Sequence, residues 1–312
     1  MVILQAGVAK SGNFWLYKII QEIIGCSNFE KKSFIRAQPI YEVAKAWDLS
    51  YKQQADIDVL DIESHKCFFR ISSIFRMPIE NIDDYIRQCN HVWTHSAFCE
   101  QSMVVLSKFD KVVYIIRDPR DVAISMSRFV FTPYMRKYYP KVNEPDPDTY
   151  LKRQLEGLIR HWVQHVGGYL IHKKDLQIHI VFYERLLHSF DIEINHLLEY
   201  LGIELDKEVI EHIKGEVDLM CMKSENPRHV RKGKSGEWIN ALTDAQKNQV
   251  IRIAGPMFEI LNYPIYDKSI NDGVLPCMPV KLTSGQIEKA IAHAKRKNLT
   301  EKFRRVYAFI AG

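Results

Sequence analysis

Residues Val112 to Ile116 form an unbroken apolar run, rich in β-branched side chains, that stops abruptly at Arg117-Asp118-Pro119. A run of this length and composition reads as a strand buried on both faces, as in a parallel sheet. Asp118 stands where a helix N-cap belongs, Pro119 suits the first helical position, and Asp121 adds negative charge to the first turn. The chain therefore predicts a buried strand that carries an arginine to the carboxyl edge of a sheet, with a helix leaving at once towards Phe129. Open α/β sheets bind ligands at that edge. A guanidinium held there is a rigid fork for phosphate or sulfate. Ser125, two helical turns on, can add a hydroxyl on the same side. The plainer alternative is that Arg117 only pairs with Asp118 or Asp121.

The amino terminus has a related layout. Residues 2 to 6 read as a strand, Gly7-Val8-Ala9-Lys10-Ser11-Gly12 as a tight turn carrying a lysine, and Asn13 to Ile24 as a helix with apolar residues at helical spacing. Strand, glycine-lysine turn and helix is an arrangement in which backbone N–H groups and a helix N-terminus cradle an anion. It is not a Walker A loop, because Gly12 follows the lysine instead of preceding it. A third segment, His229-Val230-Arg231-Lys232-Gly233-Lys234-Ser235-Gly236-Glu237-Trp238, concentrates basic residues and glycines. Such a loop can wrap a phosphate, or be a solvated basic turn.

Together these segments resemble the soluble PAPS-dependent sulfotransferases, which use 3′-phosphoadenosine 5′-phosphosulfate. Lys10-Ser11-Gly12-Asn13-Phe14-Trp15 resembles the family's phosphosulfate loop, usually Pro-Lys-Ser-Gly-Thr-Thr-Trp. Arg117 and Ser125 resemble its 3′-phosphate motif. Arg231-Lys232-Gly233 with Gly236-Glu237-Trp238 resembles its Arg-Lys-Gly-x-x-Gly-Asp-Trp loop. Met222 to Pro227 resembles the Met-Lys-x-Asn-Pro run before that loop, and Tyr183-Glu184 its Tyr-Glu-Asp strand end. The matches stand in family order between residues 1 and 265.

The resemblance implies an α/β, P-loop-like three-layer fold with a central, mostly parallel sheet flanked by helices. It implies that PAPS is bound, with PAP as product and no metal, by Lys10, Ser11, Gly12, Asn13, Phe14, Trp15, Arg117, Ser125, Tyr183, Arg231, Lys232 and Gly233. Within that set, backbone N–H groups from Ser11 to Trp15 take the 5′-phosphate, Arg117, Ser125 and Arg231 the 3′-phosphate, and Trp15 flanks the adenine. His95, in a Thr94-His95 pair after the strand Asn90 to Trp93, matches the family's base. Its role is to take a proton from an acceptor hydroxyl, while Lys10 offsets charge on the leaving oxygen. Sulfuryl transfer then asks the protein chiefly for in-line alignment and charge stabilisation.

Three positions depart from the family pattern. Trp93 stands where a lysine usually helps to neutralise the moving sulfuryl group. Phe14 replaces a hydroxyl donor, and Leu219 replaces an aromatic that stacks on adenine. Arg120 and Lys18 are nearby basic residues that could replace the missing charge. The departures keep two rivals open. One is a P-loop kinase or NTPase with Asp118 as a magnesium ligand. The other is a noncatalytic nucleotide-binding protein that kept the fold.

A 312-residue chain with 46% hydrophobic residues can bury a sizeable core, and a net charge of +5 fits a polyanionic ligand without implying nucleic acid. The six cysteines show no Cys-x-x-Cys spacing, which favours a reducing, cytoplasmic setting. His161 and His165 could share a helix face, but no matched ligand accompanies them. The first nine residues lack a basic leader and a cleavage site, and no apolar run is long enough to span a membrane.

The motifs place one sulfotransferase domain at residues 1–266, then a linker at 267–285. A basic amphipathic helix at 286–312 is expected to pack on the same domain, with docking to an acidic partner or a homodimer contact as alternatives. Residues 27 to 66 read as irregular segments and short helices near the substrate mouth. The proline-rich stretch Pro133 to Pro147 reads as a mobile flap over the acceptor or as a surface loop. Helices are expected over 150–173, 192–201 and 243–253, and a strand over 178–183. The resemblance implies a small-molecule or carrier-bound hydroxyl as the acceptor.

Overall fold

The computed structural model describes residues 1–27, 29–227, 229, 233–265 and 273–295. Seven strands form one sheet: β1 (Ile3–Gly7), β2 (Asp58–Ile62), β3 (Cys67–Ile71), β4 (Phe75–Pro78), β5 (His91–Thr94), β6 (Lys111–Ile116) and β7 (His179–Phe182). Their spatial order is β4-β3-β2-β5-β1-β6-β7. Strands β2, β5, β1, β6 and β7 run parallel, and β3 and β4 add an antiparallel hairpin at one edge.

Alternation along the strands divides the core in two. In β6, Val112, Tyr114 and Ile116 pack on one side of the sheet, and Val113 and Ile115 on the other. The first side is covered by the helices Pro119–Phe129, Pro147–Ile171 and Asp244–Leu261. The second is covered by the helices Asn13–Cys26 and Phe190–Leu201, which bury their Ile and Leu faces. The result is a three-layer α/β fold, as expected. Strand β1 is the switch point, with β5 on one side and β6 on the other, so a cleft opens at the carboxyl ends of these strands.

The local signals at Arg117 are realised. Asp118 caps the helix Pro119–Phe129 by accepting from the Arg120 N–H, and Pro119 occupies the first turn. The helix expected over 243–253 runs on to Leu261 and includes Pro256. Thr243 and Gln246 form a reciprocal capping box at its start.

The sequence reading missed β2, β3 and β4. Asp58 and Asp61 interrupt the apolar pattern of β2, yet both carboxylates are buried. Asp58 accepts from the Ile35 N–H at 2.7 Å, and Asp61 is paired with Arg70 and Arg76. Pro133 to Pro147 also differs from a mobile flap. It contains the helix Pro133–Tyr138, and Tyr134, Met135 and Tyr139 are buried. The Tyr134 hydroxyl is bonded to the Ser72 hydroxyl, and Tyr139 donates to the Ser73 carbonyl.

The helix Ser284–Lys295 lies against the helices Pro147–Ile171 and Asp244–Leu261. Ile287, Ala290 and Ala294 are buried, and His293 bonds the Arg252 carbonyl at 2.7 Å. The rest of the expected carboxyl-terminal helix, and the linker from 267 to 272, lie outside the described residues. Among the described residues, no helix is long and apolar enough to cross a membrane.

Burial makes stability depend on pH. His91 and His95 are pushed down to about 3 and His165 and His179 to about 4, with His161 and His229 well below the usual range; burial is the largest cause throughout. An unfolded histidine titrates near 6.5, so the unfolded chain binds more protons below that pH. This contribution to stability is complete above about pH 6.5 and is lost as pH falls towards 4.

Three carboxyls act in the opposite sense. Burial raises Asp58 and Glu184 to about 7 and Asp121 to about 6. Their contribution is complete below the unfolded carboxyl range and is lost as pH rises through 6 to 7. Six groups oppose three, so the melting temperature is expected to fall on acidification from pH 6.5 to 4.5. A calorimetric series that stays flat or rises over this interval would contradict the assignment.

Candidate active site

The turn after β1 is shaped by two residues with positive φ, Lys10 at 73° and Gly12 at 94°. Ser11 N–H donates to the Val8 carbonyl at 3.1 Å, and the Asn13 amide donates to the same carbonyl at 2.8 Å. Gln5, inside the sheet, donates to the Asn13 carbonyl at 2.7 Å. The helix Asn13–Cys26 then starts without a capping side chain. Its first-turn N–H groups therefore offer positive dipole and donors to an anion. The Ser11 hydroxyl is buried without a partner among the described residues.

Gly12 is needed for more than its φ. A Cβ there would lie 2.4 Å from Cδ2 of Tyr183. Gly12→Ala combines this clash with left-handed strain of about 1–2 kcal/mol. It is expected to lower the melting temperature by several degrees and to weaken anion binding at the turn. Differential scanning calorimetry and nucleotide titration of this variant check both effects.

Arg117 leaves the end of β6 and reaches the same turn. Its Nη1 donates to the Lys10 carbonyl at 3.2 Å and its Nη2 to the Lys234 carbonyl at 2.9 Å. The guanidinium stacks 4.2 Å from the ring centre of Tyr183. Nε is buried without a partner among the described residues.

Pairing of Arg117 with Asp118 or Asp121 is not what forms. Both oxygens of Asp118 are taken by Arg120, at 2.6 to 3.1 Å. Asp121 accepts from the Gly236 N–H at 2.7 Å and the Trp238 N–H at 3.0 Å, which ties the basic loop to this helix. Glu184 braces the turn from β7 by accepting from the Asp118 N–H at 2.9 Å and the Tyr263 hydroxyl at 3.0 Å.

Arg120 is fully buried, with its guanidinium 3.4 Å from the Trp238 ring centre and Nη2 2.6 Å from the Pro264 carbonyl. It is an architectural residue and cannot replace the charge missing at Trp93. Lys18 is also remote from that place: it faces Glu22 and Glu225, each at 3.9 Å. Asp118, locked to a guanidinium, is no magnesium ligand, so the kinase alternative loses its metal site. The rings of His161 and His165 lie 5.6 Å apart, and among the described residues no group of three His, Cys, Asp or Glu could hold a metal ion.

His95 follows β5 and sits on the cleft wall. Its Nδ1 is 2.7 Å from the Gly7 carbonyl. A carbonyl only accepts, so Nδ1 carries the hydrogen and Nε2 keeps its lone pair. The main chain here is pinned from behind. His165 Nε2 donates to the His95 carbonyl at 3.0 Å, and the Tyr114 hydroxyl donates to His165 Nδ1 at 2.7 Å. Trp93 lies edge-on to His95, 5.2 Å between ring centres, and its buried Nε1–H has no partner among the described residues.

One continuous cleft is lined by Lys10, Gly12, Asn13, Phe14, Trp15, His95, Arg117, Ser125, Tyr183 and Gly233, so most of the expected site residues converge. Ser11 lies in the turn but does not line the cleft. Arg231 and Lys232 lie outside the described residues. The Lys10 amine sits 4.2 Å from the ring centre of Phe129. Trp15 donates from Nε1 to the Val217 carbonyl at 2.9 Å and packs against Tyr183. Phe14 fills the space between Tyr51 and His229, with ring centres 4.3 and 5.2 Å away.

The cleft also contains Arg70, Ser72, Tyr134 and Tyr139, which the sequence reading did not assign to a site. Tyr134 and Tyr139 belong to the proline-rich stretch expected as a flap over the acceptor or a surface loop. Arg70 carried none, because the strand that presents it was not recognised.

The sequence pattern of the sulfotransferase domain matches residues 2–259. The rat protein sulfotransferase 2B1 is 25% identical over 85% of this chain and 73% of its own length. The mouse protein of the same name is 25% identical over 76% of this chain and 65% of its own length, so the match leaves out about a third of that relative. Among solved structures, mouse sulfotransferase SULT7A1 complexed with PAP superposes with a TM-score of 0.53 at 20% identity, covering 87% of this chain and 86% of the other. At that identity the likeness concerns the fold. With a domain match over most of its length, the chain belongs to the sulfotransferase domain family.

Proposed function

We propose that this protein transfers a sulfuryl group from PAPS to an acceptor hydroxyl, with His95 as the base. The observation that carries this reading is the convergence of Lys10, Arg117 and His95 on one cleft. The fit to a doubly phosphorylated adenosine rests on three features of the chain itself. The helix after the glycine-lysine turn has an uncapped N-terminus. The Ser11 hydroxyl and Arg117 Nε are buried donors without partners among the described residues. Arg117 has carbonyls for neighbours and no carboxylate in ion-pair contact among the described residues, which suits a phosphate.

PAPS, when bound, supplies the sulfuryl group. The first-turn N–H groups of Asn13, Phe14 and Trp15 would hold the 5′-phosphate, and Arg117 with Ser125 the 3′-phosphate. Tyr183 supports Arg117 from beneath. Lys10 would neutralise charge on the departing phosphate oxygen, and His95 Nε2 would take the acceptor proton. Arg231 and Lys232 complete the 3′-phosphate site in this proposal, by resemblance to the family loop. The neighbours crystallised with PAP support the nucleotide choice. The six cysteines are free thiols, which fits the cytoplasmic placement that forms part of the proposal.

The test is transfer of labelled sulfate from PAPS to hydroxyl compounds in small-molecule extracts. A labelled product that disappears with His95→Ala supports the reading. Transfer that survives in that variant, or labelled phosphate moved from ATP instead, overturns it.

A further inference from the structure

The cleft has two chemically different ends. One is built by β1, β6 and β7 and holds Lys10, Arg117 and Tyr183. The other is built by β3 and its turn to β4, and β5 places His95 between them. Arg70 belongs to the second end. In register it lies opposite Val59, and Val59 lies opposite Trp93, so all three share one row and one face of the sheet. Strand spacing puts the Cα atoms of Arg70 and Trp93 about 10 Å apart.

Arg70 is only 6% exposed and is rigidly held. Nε donates to Asp61 at 2.9 Å, and Nη1 donates to the Ser72 carbonyl. Asp61, itself buried, also accepts from Arg76 Nε at 3.0 Å. One carboxylate thus anchors two guanidiniums. Nη2 of Arg70 has no partner among the described residues, while the residue lines the cleft.

A second donor lies beside it. Ser72 has φ of 56°, a strained position for a non-glycine residue. Its hydroxyl is bonded to the Tyr134 hydroxyl. Gln54 Nε2 donates to the Ser72 oxygen at 3.1 Å, and the Ser50 N–H fixes that amide by donating to Gln54 Oε1 at 3.0 Å. Two hydroxyls share one hydrogen bond, so one hydroxyl proton remains to donate. This end therefore offers a guanidinium N–H and a hydroxyl, both donors, beside the rings of Tyr51 and Trp93 and the side chain of Met135.

We propose that this end binds the acceptor by a carboxylate, held by Arg70 and the Ser72–Tyr134 hydroxyl pair, so that the acceptor is a hydroxylated, mainly apolar carboxylic acid. The inference rests on the sulfuryl-transfer reading, because it assigns the acceptor of that reaction. Buried donors left unpaired penalise a ligand that lacks the matching oxygen. A neutral acceptor of the same shape is therefore disfavoured.

The test uses the full chain saturated with PAP. Isothermal titration compares matched hydroxy acids and their methyl esters in three skeletons: phenolic, steroidal and 3-hydroxyacyl. In a skeleton that binds, the acid should bind about 10- to 100-fold more tightly than the ester. Arg70→Met should remove that difference while leaving PAP affinity unchanged. Asp61 keeps Arg76 in this variant, and the double variant Asp61→Asn, Arg70→Met serves as a control for folding. Esters that bind as well as acids, a panel in which no acid binds, or an Arg70→Met loss equal for acid and ester would each overturn the assignment. Failure of PAP itself to bind would instead count against the parent reading.

Discussion

His95→Ala is expected to lower kcat by about 10²- to 10⁴-fold, the usual contribution of a positioned base, with PAP affinity unchanged. The Gly7 carbonyl fixes Nδ1 as the protonated nitrogen at 2.7 Å, which leaves Nε2 as the acceptor of a proton. Burial holds the ring at about 3, so it enters the reaction neutral at any ordinary pH. An anion brought beside it favours the imidazolium and raises that value. The acidic limb of kcat should accordingly lie at higher pH than that of kcat/KM, which reports the free protein. Steady-state kinetics with labelled donor, combined with PAP calorimetry, separates the two effects. A variant with undiminished kcat excludes His95 as the base. A wild-type protein that binds PAP but transfers nothing favours the noncatalytic alternative.

Lys10→Met is expected to reduce kcat by about 10²- to 10³-fold, the range for losing one aligned stabiliser of developing charge. The turn holds Lys10 at φ 73° and sets its amine over Phe129 on the wall of the cleft. On the proposed reading the charge carries added weight, because Trp93 supplies a neutral N–H where the family pattern has a lysine. Methionine keeps most of the length of the side chain while removing the charge and with it the cation–π contact to Phe129. The loss should therefore fall on kcat more than on PAP affinity. Equal losses in both would assign Lys10 to ground-state binding only.

The parts of the site legible in the sequence are those whose signals are local. Asp118, Pro119 and Asp121 announce a helix start within a few residues, and the apolar run before them announces β6. Gly7 to Gly12 announces a turn by composition. What sequence reading missed depends on contacts between distant segments. Arg70 acquires its place from the pairing of β3 with β2, and β2 was hidden because Asp58 and Asp61 look like solvent-facing residues until their buried partners are known. Arg120, which the sequence offers as one possible replacement for the missing charge, lies elsewhere for a related reason. Its spacing from Arg117 is short, but its side chain turns back to Asp118 and lies under Trp238, a residue far along the chain. Prolines exclude long elements, so the proline-rich stretch reads as a mobile flap or a surface loop. The sequence does not reveal that Tyr134 and Tyr139 anchor it to the turn after β3.

The central claim is that remote segments converge on a pocket for an adenosine bearing both a 3′- and a 5′-phosphate. Calorimetric titration of the wild-type protein and Arg117→Met with PAP and with 5′-AMP tests it most directly. Wild type should bind PAP about 10- to 100-fold more tightly than 5′-AMP, the value of one or two charge-assisted hydrogen bonds to the extra phosphate. Arg117→Met should erase most of that gap while 5′-AMP binding stays the same. Equal affinity of wild type for the two nucleotides, or a gap that survives the loss of Arg117, would contradict the account.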